Sequence, residues 1–153
     1  MPWIEFGPSG QQSSAPDFRL LTPDGATVAR RHFQRRAHLV LCFLPEALSA
    51  ADRARLQRLA DAQGEIAEAD ARLIVLTARA EAFPPAWPLL LDPDRAVRRS
   101  YAALFPPEQA PAEGEPFVVI LDRFGAPAFA SVSVPDADDV LTRLWGLQYE
   151  CPE

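Results

Sequence analysis

Residues Leu39 to Leu44 are apolar without interruption, and Pro45 closes the run. Strict alternation would mark a strand with one wet face. An unbroken run of this length instead suits a central strand of a sheet that is covered on both sides. After the proline, Ser49 is placed to cap a helix, and Asp52, three residues on, sits where a capping-box side chain reaches back to the N-cap amide. A strand that turns into a helix in this way gathers backbone N–H groups and the positive end of the helix dipole at one point. A thiolate or another anion would be stabilised there.

The remaining elements follow in order. A short N-terminal strand is expected around Trp3 to Phe6. Phe18 to Leu21 and Thr27 to Val28 flank the turn signal Pro23-Asp24-Gly25 and read as a β-hairpin. Ala29 to Gln34 is a short helical candidate. The helix that Ser49 opens is expected to run to about Ala69, with Leu56, Leu59 and Ile66 on one stripe, Asp52 on the same side, and Gly64 as a point of bending. Leu73 to Thr77 is a second, β-branched strand, so strand, helix and strand form a βαβ unit. Ala78 to Phe83 reads as a short helix and Leu89 to Leu91 as a strand. Asp92 is expected as the N-cap, with Pro93 at N1, of a helix reaching Leu104. Phe105 to Glu115 reads as an exposed loop. Phe117 to Leu121 and Ala128 to Val132 read as an antiparallel hairpin around Asp122-Arg123-Phe124-Gly125. Asp136 to Leu147 is a final helix that should bury Val140, Leu141, Leu144 and Trp145.

With 153 residues, 48% of them hydrophobic, the chain is expected to form a single domain over residues 1–153, residues 148–153 being a tail. The formal net charge is −6 and the basic residues, all arginine, are scattered, which argues against nucleic acid or an anionic membrane as partner. No apolar run is long enough to span a bilayer and the first residues lack the order of a signal peptide, so a cytoplasmic location is expected. Two cysteines, Cys42 and Cys151, make no disulfide framework, and His32 and His38 make no metal site by spacing; neither a metal nor another cofactor is expected. Cys42, inside the apolar run, reads as a small buried hydrophobe. Cys151 lies in the polar tail YECPE, within reach of solvent, where Glu150 and Glu153 would raise its pKa.

Several of these segments resemble the peroxiredoxins, the alkyl hydroperoxide reductase and thiol-specific antioxidant family. FLPEALSAAD is similar to the family's active-site pattern Phe-x-Pro-x-x-x-Thr/Ser-x-x-Cys, with Phe43, Pro45 and Ser49 in register and Asp52 at the position of the peroxide-attacking cysteine. In the related thioredoxin pattern, the two cysteine positions fall on Leu48 and Ala51. Ala15-Pro16-Asp17-Phe18 and the segment PLLLDPDRAVRRSYAAL resemble further family segments. PFVVILDRFG is similar to a run in thioredoxin-like reductases whose proline is cis and faces the active site. The resemblance thus implies a cis Glu115–Pro116 bond. It also implies a thioredoxin-like α/β fold: a central mixed sheet of about five strands with helices on both faces, plus an N-terminal hairpin.

The same residues bear on activity. Peroxide reduction needs a thiolate nucleophile, hydrogen-bond donors that orient the peroxide, and a cation that holds the thiolate. Ser49 can donate, but an ionised Asp52 only accepts hydrogen bonds and cannot replace sulfur. The arginine that the family would place just before the last hairpin is missing, since none lies between Arg99 and Arg123. The pocket positions that the resemblance implies are Pro45, Ser49, Asp52 and Pro116. The expected function is a redoxin-like protein that has lost thiol peroxidase activity and serves as a binding or regulatory module for a protein or small-molecule partner. If the pocket survives, an Asp in it favours a cationic or hydrogen-bond-donating ligand. In the alternative, Cys151 is the redox thiol of a thiol-dependent antioxidant oxidoreductase, through an intermolecular disulfide in a homodimer. A plain interaction module is the third reading. In the blandest view, Ser49 and Asp52 merely start a helix, worth about 1 kcal/mol locally.

Overall fold

In the computed structural model, residues 3–7 and 13–150 are described, Glu150 in its backbone only. Cys151 and the last residues of the tail lie outside them. Eight strands form one mixed sheet: β1 (Ile4–Glu5), β2 (Arg19–Leu21), β3 (Thr27–Ala29), β4 (His38–Phe43), β5 (Ala71–Thr77), β6 (Leu89–Leu91), β7 (Phe117–Leu121) and β8 (Pro127–Val132). Their order across the sheet is β1-β8-β7-β4-β5-β6-β2-β3. The sheet is larger than the five strands expected, because the β2–β3 hairpin joins it at β6 through Leu21 opposite Leu91 and β1 extends the far edge beside β8.

The apolar run is the central strand. All six residues of β4 are buried, between a parallel β5 and an antiparallel β7. Side chains of alternate residues leave a strand on opposite faces. Accordingly Val40 and Cys42 join one core with Leu56, Leu59, Val140 and Leu144, whereas Leu39, Leu41 and Phe43 join another with Phe18, Tyr101 and Phe105. Every position is apolar because each face has its own core.

The helices are α1 (Ala50–Asp61), α2 (Gln63–Glu68), α3 (Ala96–Ala102) and α4 (Ala137–Glu150). The helix expected from Ser49 to about Ala69 is two helices, broken at Ala62, one residue before α2 and two before Gly64. Ala29 to Gln34 and Ala78 to Phe83 contain single 3-10 turns, Arg30–Phe33 and Ala80–Ala82. The start of α3 also differs from expectation. Pro93 does not begin the helix, because the chain first makes a turn in which the Arg95 amide donates to the Asp92 carbonyl and Arg95 adopts φ 61°. Asp92 still serves the helix from a distance, its carboxylate accepting from the amides of Val97 (3.3 Å) and Arg98 (2.9 Å). In α4 the buried stripe is Val140, Leu144 and Leu147, with Leu141 partly buried, while Trp145 is 38% exposed and stands beside Tyr149. Residues 148–150, expected in the tail, complete α4.

Between Phe105 and Glu115 the chain is largely exposed, as expected, but Phe105 is buried and α3 pins the end of the segment. Arg98 Nη2 donates to the carbonyls of Ala112 (3.0 Å), Glu113 (3.2 Å) and Glu115 (2.6 Å), with the guanidinium 5.0 Å over the Phe117 ring. The β7–β8 turn uses the predicted residues. Asp122 Oδ1 accepts from the amides of Phe124 and Ala126, and Gly125 takes φ 84° with the Arg30 guanidinium lying where a side chain would stand. No cis bond occurs among the described residues, so Glu115–Pro116 is trans, against the implication of the resemblance.

Candidate functional site

The turn from β4 to α1 puts the expected residues at the C-terminal ends of the parallel strands, the usual place for chemistry in α/β folds. Ser49 is the N-cap of α1, as its position predicts: its Oγ accepts from the Asp52 amide at 3.1 Å. Asp52 does not reach back to the Ser49 amide. Instead its Oδ2 accepts the Ser49 hydroxyl at 3.1 Å, and Oδ1 turns toward the segment after β8, where it accepts from the Ser133 hydroxyl (2.9 Å) and the Val134 amide (3.3 Å). Arg55 adds an ion pair to the same oxygen at 3.2 Å and lies 3.8 Å from Asp136.

The carboxylate is thus the centre of a knot that ties the first turn of α1 to the β8–α4 connection. Its side chain is only 13% exposed, and both oxygens have partners. Ser133 reaches it from φ 75°, a left-handed conformation that costs a non-glycine residue about 1–2 kcal/mol. The Ser133 amide donates to the Pro116 carbonyl at 2.7 Å, so Pro116 is joined to the knot through Ser133. Three of the four pocket positions, Ser49, Asp52 and Pro116, therefore belong to one network. Pro45, the fourth, is buried and faces another space, a cavity of about 140 Å³ that it lines with Glu46, Thr77, Arg79 and Phe83.

Two members of this region are not legible in the sequence. Ser133 sits in SVSVP, an ordinary strand ending, and nothing in that composition marks a left-handed serine that donates to residue 52. Arg98 is one of three arginines in DRAVRRS, and nothing in that run singles it out, yet it is 6% exposed and holds the segment before Pro116. A cation does approach that segment, but from α3, and its Nη2 is consumed by main-chain carbonyls.

The cysteine among the described residues is sequestered. Cys42 is fully buried and its thiol is pushed up to about 12 by desolvation, so it is neutral and inert at any ordinary pH. Cys151, the candidate redox thiol, falls outside the described residues. Among the described residues no group of three or more His, Cys, Asp or Glu side chains is arranged to hold a metal ion. No helix among them is long and apolar enough to cross a membrane.

No protein-family model matches the sequence, and no curated protein matches it. Solved structures do. A Plasmodium yoelii Prx1a superposes with a TM-score of 0.70 at 17% identity, over 92% of this chain and 96% of that one. Mycobacterium tuberculosis AhpC gives 0.69 at 16% identity, over 90% and 92%. Xanthomonas campestris peroxiredoxin Q gives 0.68 at 19% identity, over 86% and 92%. The chain has the thioredoxin-like fold of the peroxiredoxins. In this fold the turn from Phe43 to Asp52 is capped by Ser49, and its last residue is a carboxylate held by Ser49, Ser133, Val134 and Arg55.

Proposed function

We propose that this peroxiredoxin-fold protein does not run thiol peroxidase chemistry and serves as a binding or regulatory module. The observation that carries this reading is the state of Asp52. A carboxylate that accepts from Ser49, Ser133 and Val134 and pairs with Arg55 is neither a nucleophile toward an O–O bond nor a free general base. Cys42 supplies no substitute, because a thiol held neutral in a closed core cannot meet a peroxide. What remains of the active-site architecture works as a joint between α1 and the β8–α4 connection.

The test is consumption of hydrogen peroxide by the full chain with dithiothreitol as reductant, run beside Cys151→Ser. The expected result is a rate equal to that of the reductant alone for both proteins. Turnover by the unmodified chain that disappears in Cys151→Ser would overturn the reading and make the tail cysteine the redox centre.

A further inference from the structure

β5 is longer than the strand beside it. It pairs with β4 from Ala71 to Leu76, whereas β6 pairs only with Val75 to Thr77. Main-chain bonds fix which way its backbone groups point. The Asp70 and Leu76 carbonyls accept from His38 and Leu44 on the β4 side, at 2.9 and 3.0 Å. The Val75 amide donates to Pro88 at 2.8 Å and the Thr77 carbonyl accepts from Asp92 at 2.9 Å, on the β6 side. Alternation along a strand then turns the N–H and C=O groups of Ala71 and Leu73 to the β6 side, before β6 has begun. The Ala71 carbonyl is taken by Arg72 Nη1 at 3.0 Å. Leu73 meets no strand there.

What it meets is a groove of about 600 Å³ lined by Pro85, Trp87, Val28 and Phe33, with the exposed Arg72 and Asp24 also among its lining residues. We propose that this groove receives an extended peptide segment of a partner protein, which adds to β5 as a short strand. Its apolar side chains enter the groove, an acidic side chain meets Arg72 and a basic one meets Asp24. Open main-chain donors and acceptors beside apolar pockets are what strand addition uses. A helix would waste them, since its own backbone groups are bonded internally. Ala71 is fully buried and its carbonyl is taken, so the open stretch is the amide and carbonyl of Leu73, a residue 5% exposed, and pairing there engages about three peptide residues, roughly 10 Å of strand. The inference is independent of the chemistry of residue 52.

The probe is the pentapeptide acetyl-Glu-Val-Thr-Val-Lys-amide, added to the full chain while amide hydrogen exchange is followed residue by residue. In the free protein the Leu73 amide is expected to exchange about tenfold or more faster than that of Val75, and the peptide is expected to slow Leu73 about tenfold while leaving Val75 unchanged. An analogue N-methylated at its three central residues is expected to have no effect. Replacing the end residues by glutamine is expected to weaken binding about fivefold, and Arg72→Gln with Asp24→Asn, both at exposed positions, should erase that difference. A Leu73 amide as protected as Val75 in the free chain overturns the proposal. So does a peptide that leaves Leu73 unchanged, or an N-methylated analogue that protects it equally. Equal binding of charged and neutral peptides overturns the charge assignment.

Discussion

Ser133 and Asp52, 81 residues apart in sequence, are joined by a hydrogen bond of 2.9 Å from hydroxyl to carboxylate. Ser133→Ala loses a charge-assisted bond and keeps the left-handed backbone, and should cost about 2 kcal/mol in urea unfolding. Ser133→Gly loses the same bond but relieves the backbone, so it should be the less harmful by about 1 kcal/mol. A double-mutant cycle of Asp52→Ala with Ser133→Ala should give a coupling of about 1 kcal/mol. Additive losses would show that the two side chains merely sit near each other.

The groups that surround Asp52 should stabilise any anion placed there. Asp52→Cys puts a thiol at the N-terminal turn of α1, beside Arg55 and the Ser133 hydroxyl. Its pKa, read from the pH dependence of iodoacetamide alkylation, should fall below the free-thiol value of about 8.5. An unshifted or raised value would mean that the knot collapses without the carboxylate.

His38 should make the fold sensitive to acid. It is buried, its Nε2 lies 2.9 Å from Gln148 Oε1, and its Nδ1 has no partner among the described residues. Burial holds its pKa below the ordinary value, opposed by the Gln148 hydrogen bond and reinforced by the charge of Arg123. The folded chain therefore resists a proton that the unfolded chain accepts near pH 6.5. Below that pH the unfolded state binds more protons, so stability should fall from about pH 6.5 toward 5 and be flat in this respect above it. His38→Leu should start lower by about 1 kcal/mol, for the lost hydrogen bond, and lack the slope in that window.

Arg98 is predicted to hold the approach to Pro116. Arg98→Met removes the donor to three carbonyls and should cost about 2–3 kcal/mol. Arg98→Lys should recover less than half of this, since an ammonium lacks the planar fork. Faster proteolysis of the segment from Pro106 to Glu115 in both variants is the accompanying readout. Full stability of the lysine variant would show that charge alone suffices.

Local chemistry was legible where a residue's role is settled by its neighbours in sequence. Ser49 caps α1, Pro23-Asp24-Gly25 and Asp122 to Gly125 turn the chain, and the unbroken run of β4 announces a strand with two covered faces. Roles settled by distant partners were not. Asp52 looked like a capping-box residue because the pattern is local, but Ser133 and Val134 compete for the carboxylate and win. Asp92-Pro93 looked like a helix start because proline is favoured at N1, but the turn through Arg95 delays the helix. Trp145 matched the helical period, yet Leu147 is the residue that meets the core, and helical spacing alone does not choose between them.

The split of β4 between two cores means that the sheet works as a bulkhead. Leu56, Leu59 and Val140 lie in the compartment of Cys42, on the helices that leave either end of the Asp52 knot, while Tyr101 and Phe105 lie across the sheet with Phe43. Damage on the Tyr101 side reaches residue 52 by way of the sheet and of Pro116, whose lead-in Arg98 holds and whose carbonyl accepts from Ser133. Side-chain repacking beyond the bulkhead is therefore felt at the joint through main-chain bonds, not through direct side-chain contact with Asp52.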